Sequence, residues 1–162
     1  MKFLAVLALC IVGACALTPL TEDEATLLHE SWHHINHDEI AILHNFFSHH
    51  PEHQARFPAF VGKDLAAVKE TAKFATHATR IVSALSEVIE LSGNAAAGPA
   101  LKTVLHTLGS DHKRRGIPKE SFADFRSSFL EYAKGHVSWG DNVEAVWNKA
   151  FDNAFEIFFE AY

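Results

Sequence analysis

The amino-acid sequence predicts an all-α fold, and three observations favour it. Apolar residues recur at spacings of three and four through most of the chain, which is the period of a helix with one buried face. No segment shows the sustained alternation of apolar and polar residues that is typical of strands. Helix-start signals, such as Thr21 followed by Glu24, precede the apolar runs.

Residues 1–16, MKFLAVLALCIVGACA, have the composition of a cleaved secretory signal. Lys2 supplies a positive charge, a short apolar run follows, and small residues surround the expected cleavage point before Leu17. The apolar run is too short to span a bilayer. Residues 17–162 are therefore expected to form one secreted domain that is large enough to bury a substantial core.

Cysteine usage and charge restrict the chemistry of this domain. Both cysteines, Cys10 and Cys15, fall in the predicted signal, so we expect no disulfide in the secreted protein. Removal of Lys2 leaves 13 basic residues against 20 acidic ones, and the formal charge moves from −6 to −7. A negative chain does not suit nucleic acid or an anionic membrane, and we expect neither as a partner.

The first half of the domain is predicted to form two helices and a turn. The first helix begins at Thr21, whose hydroxyl can bond a free backbone amide while Glu24 bonds back to the cap. The second spans about 38–49 and has apolar residues on one side. Pro51 ends it and opens a short helical turn toward Phe57.

The second half is predicted to form four helices with apolar lines that face inward. They span about 64–91, 100–111, 118–136 and 141–160. His77 lies on the inner line of the first of these helices. The segment SGNAAAGP, residues 92–99, has the composition of a loop, and the charged bend HKRRG ends at Gly116.

Two of the 12 histidines, His77 and His112, sit on separate predicted helices with Phe57 upstream of the first. A planar iron cofactor needs one imidazole to ligate the metal, a second over the open coordination site, and apolar walls that keep the ring dry. The chain offers candidates for all three. A chain with 12 histidines contains many such pairs by chance. The sequence motifs around His77 and His112 are therefore needed to show whether this pair binds iron.

These motifs resemble the globin family, and more closely the extracellular haemoglobins of midge larvae. The most specific are RFPAFVGKDL, KFATHATRIV, DHKRRG and WGDNVEAVWNKAFDNAF, and the resemblance covers all of residues 17–162. It implies a globin fold of six to eight helices around haem b, and reversible binding of dioxygen or other small gaseous ligands for transport or storage. It also implies a carrier rather than an enzyme, in solution in the haemolymph as a monomer or a homodimer.

The resemblance makes His112 the proximal ligand of the haem iron. His106 is the alternative, because it lies twenty-nine residues after His77, the separation found in many globins. His112 is favoured since Gly116 and Ile117 follow it at the distances where the family turns its chain and lays an apolar residue on the haem.

His77 matches the distal histidine of the family, which donates a hydrogen bond to the bound gas. Phe74 and Ile81 place it on the pocket side of its helix, which favours this role over a core histidine bonded to the backbone. Arg80 is expected at the pocket rim. It can pair with a haem propionate, swing toward the ligand or remain a solvated charge, and the sequence does not separate these roles.

Phe57 matches the aromatic residue that packs on the haem face, where it excludes water and fixes the tilt of the ring. Four further candidate wall residues are Ile81, Leu108, Ile117 and Phe125. At all five positions an apolar residue of the general core would look the same in the sequence as a residue of the haem pocket. The Leu108 carbonyl is also the expected acceptor for the second ring nitrogen of His112.

The remaining histidines include two dense groups, HHINH with His33, His34 and His37, and HHPEH with His49, His50 and His53. Histidines three or four residues apart on a helix can approach one metal ion. No acidic or cysteine ligand completes either group convincingly. We therefore expect a solvated surface that buffers pH.

Three classes of function compete: an oxygen-binding globin, a haem enzyme such as a peroxidase or nitric-oxide dioxygenase, and a histidine-rich metal-binding protein without haem. Enzymatic turnover needs a polar acid-base pair or an electron source. Arg80 is the only candidate in the sequence for a member of such a pair. The globin is favoured. The many histidines also predict an oxygen affinity that varies between about pH 6 and 8, with His77 among the first candidates to titrate.

Overall fold

A computed structural model of the protein describes residues 17–162, and the predicted signal lies outside them. Within this range the α-helices are α1 Glu22–His33, α2 Glu39–His49, α3 Pro51–Gln54, α4 Leu65–Lys69, α5 Ala72–Ser92, α6 Gly98–Arg114, α7 Glu120–His136 and α8 Asp141–Glu160. No strand occurs among these residues, which confirms the all-α prediction. None of the helices described here combines the length and the apolar character needed to cross a membrane.

Local signals fix the start of α1 and tie the beginning of the described chain to α8. Thr21 Oγ1 accepts a hydrogen bond from Glu24 N at 3.2 Å, and Glu24 Oε2 accepts one from Thr21 N at 2.7 Å, which is the predicted capping box. Thr18 N donates to Asn153 Oδ1 at 3.2 Å, and Asn153 Nδ2 donates to the Thr18 carbonyl at 2.8 Å. The chain is thus attached to α8 from its second described residue.

The helix predicted over 64–91 is wrong in one respect, since it consists of α4 and α5 with a break between them. Asp64 caps α4, and Thr71 caps α5 by accepting a hydrogen bond from Phe74 N at 3.3 Å. In a continuous helix this amide would donate to a carbonyl of the preceding turn, and the threonine side chain accepts the hydrogen bond in its place. The apolar period continues through the break, because Val68 and Phe74 are buried in the same cluster, so the sequence pattern does not reveal it.

Helix α6 is longer than predicted at both ends. Asn94 caps a 3₁₀ turn over Ala95–Ala97, and α6 follows directly with Pro99 in its first turn. At the other end α6 continues two residues past His112, so part of the predicted bend is helical. Gly116, with φ of 68°, then turns the chain in the left-handed region that favours glycine.

The largest apolar cluster joins α1, α7 and α8. Its rings include Trp32, Phe129 and Trp147, with centroids 5.0 to 6.2 Å apart. Both indole N–H groups have partners, since Trp32 Nε1 donates to Ser86 Oγ at 3.1 Å and Trp147 Nε1 donates to Ser31 Oγ at 3.0 Å. Large buried rings with satisfied polar atoms give this core a defined arrangement.

Two smaller clusters carry the candidate site residues. The α2–α5 cluster contains Leu43, Phe46, Phe47, Phe60, Val68, Phe74 and Ala78. The α6–α8 cluster contains Leu105, Ile157 and Phe158. Helices α6 and α8 are in close contact at Gly109, where a Cβ atom would overlap the carbonyl oxygen of Phe158. Glycine is therefore required at this crossing.

Candidate functional site

The ring of His112, two residues before the end of α6, is oriented by the helix backbone. Its Nδ1 lies 2.8 Å from the carbonyl oxygen of Leu108, as expected. A carbonyl can only accept, so Nδ1 carries the proton and the neutral ring keeps a lone pair on Nε2. The rings of Phe122 and Phe158 contact the imidazole at centroid distances of 5.3 and 5.8 Å. His112 thus offers an aligned nitrogen ligand from an aromatic wall.

His77 on α5 is half-buried and meets the ring of Phe57 at a centroid distance of 4.7 Å. The pKa of His77 is lowered to about 4, mainly by burial and further by three neighbouring basic groups, Arg80, His112 and Arg115. The ring is therefore neutral at physiological pH. Helices α5 and α6 contact each other, so the two imidazoles lie on neighbouring helices.

The ring of His77 forms no hydrogen bond with any residue in the range 17–162. Buried polar groups in folded proteins are normally paired, and a core histidine would bond to a backbone group. A half-buried, neutral imidazole without a protein partner is free to bond a small ligand.

The predicted wall residues lie in the two apolar clusters whose rings contact His77 and His112, or at the turn after α6. Four of them pack on the clusters and stay partly exposed: Phe57, Ile81 and Phe125 on the α2–α5 cluster, and Leu108 on the α6–α8 cluster. Ile117 is half-buried at the turn after α6, where its N–H donates to the His112 carbonyl at 3.2 Å. The remaining apolar surface can cover an apolar, planar occupant.

Two arginines lie near the pair of histidines. Arg80 is exposed on α5 and forms no ion pair within the described part of the chain. Arg115 directly follows α6 and lies 3.5 Å from Asp111. Both act electrostatically on His77. Sequence reasoning did not single out Arg115, although its place three residues after His112 was a usable signal, and it also missed Phe122.

His106 points to a different part of the molecule. Its Nε2 lies 3.0 Å from Glu160 Oε2 at the end of α8. Lys102 reaches the same carboxylate at 2.8 Å. The imidazole of His106 is thus engaged in a surface ion cluster between α6 and α8 rather than with the residues around His77.

The two histidine groups differ from each other in the structure. In the HHINH group the histidines are exposed, as expected of a solvated surface. In the HHPEH group His53 is only 5% exposed, and its Nε2 lies 2.8 Å from Asp124 Oδ2 on α7. The expected solvated surface without an acidic partner is wrong for His53, because the fold supplies a carboxylate from 71 residues later.

The donor set of the site fits haem. One imidazole presents a lone pair, a second has no protein partner within residues 17–162, and aromatic and aliphatic side chains surround both. These are the groups that ligate iron in a porphyrin and keep the ring dry.

Comparison with known proteins agrees with this fit. The sequence profile of the family described as Globin matches residues 40–158. The chain is 57% identical over 157 residues to Globin CTT-VIIB-4 of Chironomus thummi thummi, with 97% of each chain covered. Globin CTT-VIIB-3 of the same organism is 56% identical over the same length, again with 97% of each chain covered.

Solved structures show the same relationship. A haemoglobin component, TA-VII from Tokunagayusurika akamusi, matches with a TM-score of 0.87 and 38% identity, over 91% of this chain and 99% of that one. A Drosophila melanogaster globin matches with a TM-score of 0.80 and 27% identity, over 88% and 95% of the two chains. Because the profile spans most of the chain and the relatives match nearly its full length, the chain belongs to the globin family and is similar to midge haemoglobins.

Proposed function

We propose that this protein binds haem b between α5 and α6 and binds dioxygen reversibly, for transport or storage. The observation that carries the proposal is the pair of imidazoles, because His112 presents Nε2 while His77 is neutral and has no partner within residues 17–162. Membership of the family supports oxygen binding in general, since the relatives are named as globins and a haemoglobin. A globin of this kind is a carrier and not an enzyme.

His112 is the proximal ligand in this proposal. The hydrogen bond from Nδ1 to Leu108 sets the plane of the ring and makes Nε2 a better ligand. The rings of Phe122 and Phe158 exclude water from the same side. His106 does not take this role, because its ring is paired with Glu160. Haem iron supplies the coordination position at which a gas binds reversibly.

His77 is the distal residue in this proposal. Its neutral ring carries one N–H, and no protein acceptor within the described range competes for it. The N–H can donate to dioxygen in the pocket, and a hydrogen bond to a partly charged acceptor contributes about 1.5–3 kcal/mol. Carbon monoxide is less polarised and gains less from the same donor.

The walls and the mouth of the pocket have separate roles. The proposed walls are Phe57, Ile81, Leu108, Ile117 and Phe125. Their partly exposed surface excludes water when a ring lies between them, and a dry pocket slows oxidation of the iron. We assign Arg80 and Arg115 to the propionate groups of haem, because both cations lie near His77 and guanidinium groups pair well with carboxylates.

The proposal extends to where the protein acts. Removal of residues 1–16 would release residues 17–162 into the extracellular fluid, which the family resemblance suggests is haemolymph. The formal charge of −7 that remains after loss of Lys2, 13 basic against 20 acidic residues, supports a freely soluble carrier without nucleic-acid or membrane partners. The resemblance also suggests that two copies of the chain can form a homodimer.

The absorption spectrum of the purified protein tests this function. The wild-type protein should show a haem spectrum that changes on removal of oxygen and returns when oxygen is readmitted. His112→Ala should lose haem to a competing acceptor at least about tenfold faster, because the only iron–protein bond is gone. His106→Ala is the matched control and should retain haem.

Two results would contradict the proposal. If the phenotypes of the two variants were exchanged, His106 would be the ligand. If purified wild-type protein supplied with haem showed no haem spectrum, the function itself would be wrong.

A further inference from the structure

Helix α3 and helix α7 bring together four side chains with metal-binding atoms, outside the proposed haem site. His50, Glu52 and His53 lie at or within α3, and Asp124 lies on α7. One ligand atom from each residue lies within 4.8 Å of all the others. We propose that these four residues bind one divalent transition-metal cation of the Zn²⁺ type, which joins α3 to α7.

The distances between the ligand atoms suit a small cation. His53 Nε2 lies 2.8 Å from Asp124 Oδ2 and 3.8 Å from Glu52 Oε1, and His50 Nδ1 lies 3.6 Å from the same Glu52 oxygen. Ligands about 2.0–2.1 Å from a tetrahedral zinc ion are about 3.3 Å apart from one another. These three separations lie on both sides of this value, and no two of the four ligand atoms are more than 4.8 Å apart, so a cation requires adjustment of the side chains but no movement of a helix.

Burial fixes part of the site before a cation arrives. His53 is only 5% exposed, and its ring stacks on Phe46 with a centroid distance of 5.0 Å and an angle of 16° between the planes. Asp124 and His50 are half-buried. Glu52 is exposed and free to adjust. Because three of the four ligand side chains are already partly buried, binding a cation costs less conformational entropy than at a fully exposed site.

The donor set selects the class of cation. Two imidazoles and two carboxylates suit zinc and similar transition metals, whereas calcium and magnesium prefer sites built from oxygen atoms alone. The negative charges of Asp124 and Glu52 also attract a divalent ion to this position. The site therefore discriminates against the commoner alkaline-earth cations.

The proton of His53 sets a limit on the affinity. Nε2 donates its proton to Asp124, while the buried Nδ1 has no partner among the described residues. When Nε2 binds the cation, that proton moves to Nδ1, where it meets no acceptor. This uncompensated N–H weakens the site, so we expect a dissociation constant of about 1–10 µM rather than the much tighter binding of a structural zinc site.

Calorimetric titration of the haem-containing protein with zinc chloride tests the proposal. The protein carries no affinity tag and is first treated with a chelator. We expect one Zn²⁺ per chain, and no competition from millimolar Mg²⁺. Asp124→Asn and Glu52→Gln should each weaken binding by about tenfold or more, since each removes a charged ligand. Glu52 is exposed, so its variant keeps the test valid if Asp124→Asn folds poorly.

The matched control removes histidines from the solvated HHINH group. The double variant His33→Gln, His34→Gln should bind Zn²⁺ as the wild type does, because both side chains are exposed and distant in sequence from the site. Loss of binding in this control, unchanged binding in both acidic variants, or a wild-type dissociation constant above about 100 µM would overturn the proposal. The pair of His53 and Asp124 would then be a hydrogen-bonded contact between helices only.

Discussion

At the scale of single residues, the charge state of His77 follows from its position. The ring is half-buried beside Phe57, and burial is the main reason that its pKa is lowered to about 4. A neutral imidazole can offer an N–H to a gas molecule, whereas a protonated ring is drawn toward solvent. The expectation that His77 titrates between about pH 6 and 8 is therefore wrong, because the pocket holds the ring neutral throughout that range.

Replacement of His77 by leucine should separate oxygen binding from haem binding. His77→Leu should keep haem, because His112 is unchanged, and should release oxygen about tenfold faster, since loss of about 1.5 kcal/mol corresponds to roughly that factor. Stopped-flow measurement of oxygen and carbon monoxide release provides the comparison. His106→Leu makes the same change outside the pocket and should leave both rates unaltered. Equal effects of His77→Leu on the two gases would show that the ring does not bond the ligand.

The lowered pKa of His77 also predicts how stability depends on pH. The unfolded chain binds a proton at His77 near the ordinary histidine pKa of 6.5, but the folded chain binds it only near a pKa of about 4. Acidification between these values therefore favours the unfolded state, and the free energy of unfolding should fall as the pH is lowered from about 6.5 to 4. Urea unfolding of the haem-free protein at several pH values measures this. The decline should be shallower in His77→Leu, and identical pH profiles for the two proteins would contradict the assigned cause.

At the scale of elements, the crossing of α6 and α8 lies beside His112, the proposed proximal ligand. Gly109 lies three residues before His112, and the backbone of α8 at Phe158 lies where a Cβ atom would be. The same Phe158 supplies a ring against His112. The distance between the two helices therefore determines where the imidazole of His112 lies.

Gly109→Ala should force the two helices apart. We expect the free energy of unfolding to decrease by about 1–3 kcal/mol, the usual cost of overpacking, and haem to dissociate faster as His112 shifts. Chemical unfolding and transfer of haem to an acceptor protein measure the two effects. Gly135→Ala in α7 is the control, because a Cβ atom there meets nothing within 4 Å, and it should be neutral or slightly stabilising. If both variants behaved alike, close packing at Gly109 would not be the cause.

The sequence predicts the elements well where their ends carry local signals. The capping box at Thr21 and the segment of α8 are confirmed as predicted. The break between α4 and α5 is not predictable from the pattern, since Thr71 interrupts the helix without interrupting the apolar period. The partner of His53 is also beyond local patterns, because Asp124 approaches it only through the packing of α3 on α7.

The histidines illustrate the same limit at the proposed haem site. The motifs nominate His77 and His112, and the backbone bond of His112 to Leu108 follows from a spacing of one helical turn. The engagement of His106 with Glu160 depends on the contact between α6 and α8, which no local pattern contains. Arg115 was also missed: its position three residues after His112 was a usable signal, but its effect on the pKa of His77 depends on the packing of α6 near α5.

At the scale of the whole molecule, the central core adjoins the proposed pocket, because Phe125 packs on both the largest apolar cluster and the α2–α5 cluster. The rings of Trp32, Phe129 and Trp147 are almost fully buried in the largest cluster. Both cysteines lie in residues 1–16, so packing rather than disulfides stabilises residues 17–162. A haem that binds the folded chain adds to this stability by mass action.

The predicted secretory signal provides a test on the complete protein. After expression in insect cells we expect the protein in the culture medium, with Leu17 as its first residue, and mass spectrometry of the intact chain measures this. Lys2→Glu together with Leu7→Asp should retain the protein in the cells, because the charge and the apolar run are both disrupted. Protein that stays in wild-type cells with Met1 in place would contradict the signal assignment.

The two hydrogen bonds between Thr18 and Asn153 have a consequence for survival outside the cell. If Leu17 is the first residue after cleavage, the new amino terminus has a single residue ahead of a segment that α8 already holds. An aminopeptidase binds several extended residues in its active site, and a single free residue ahead of Thr18 is too short for this. Trimming from the amino terminus then requires that this segment first detach from α8, and the stability of the fold sets how often it does.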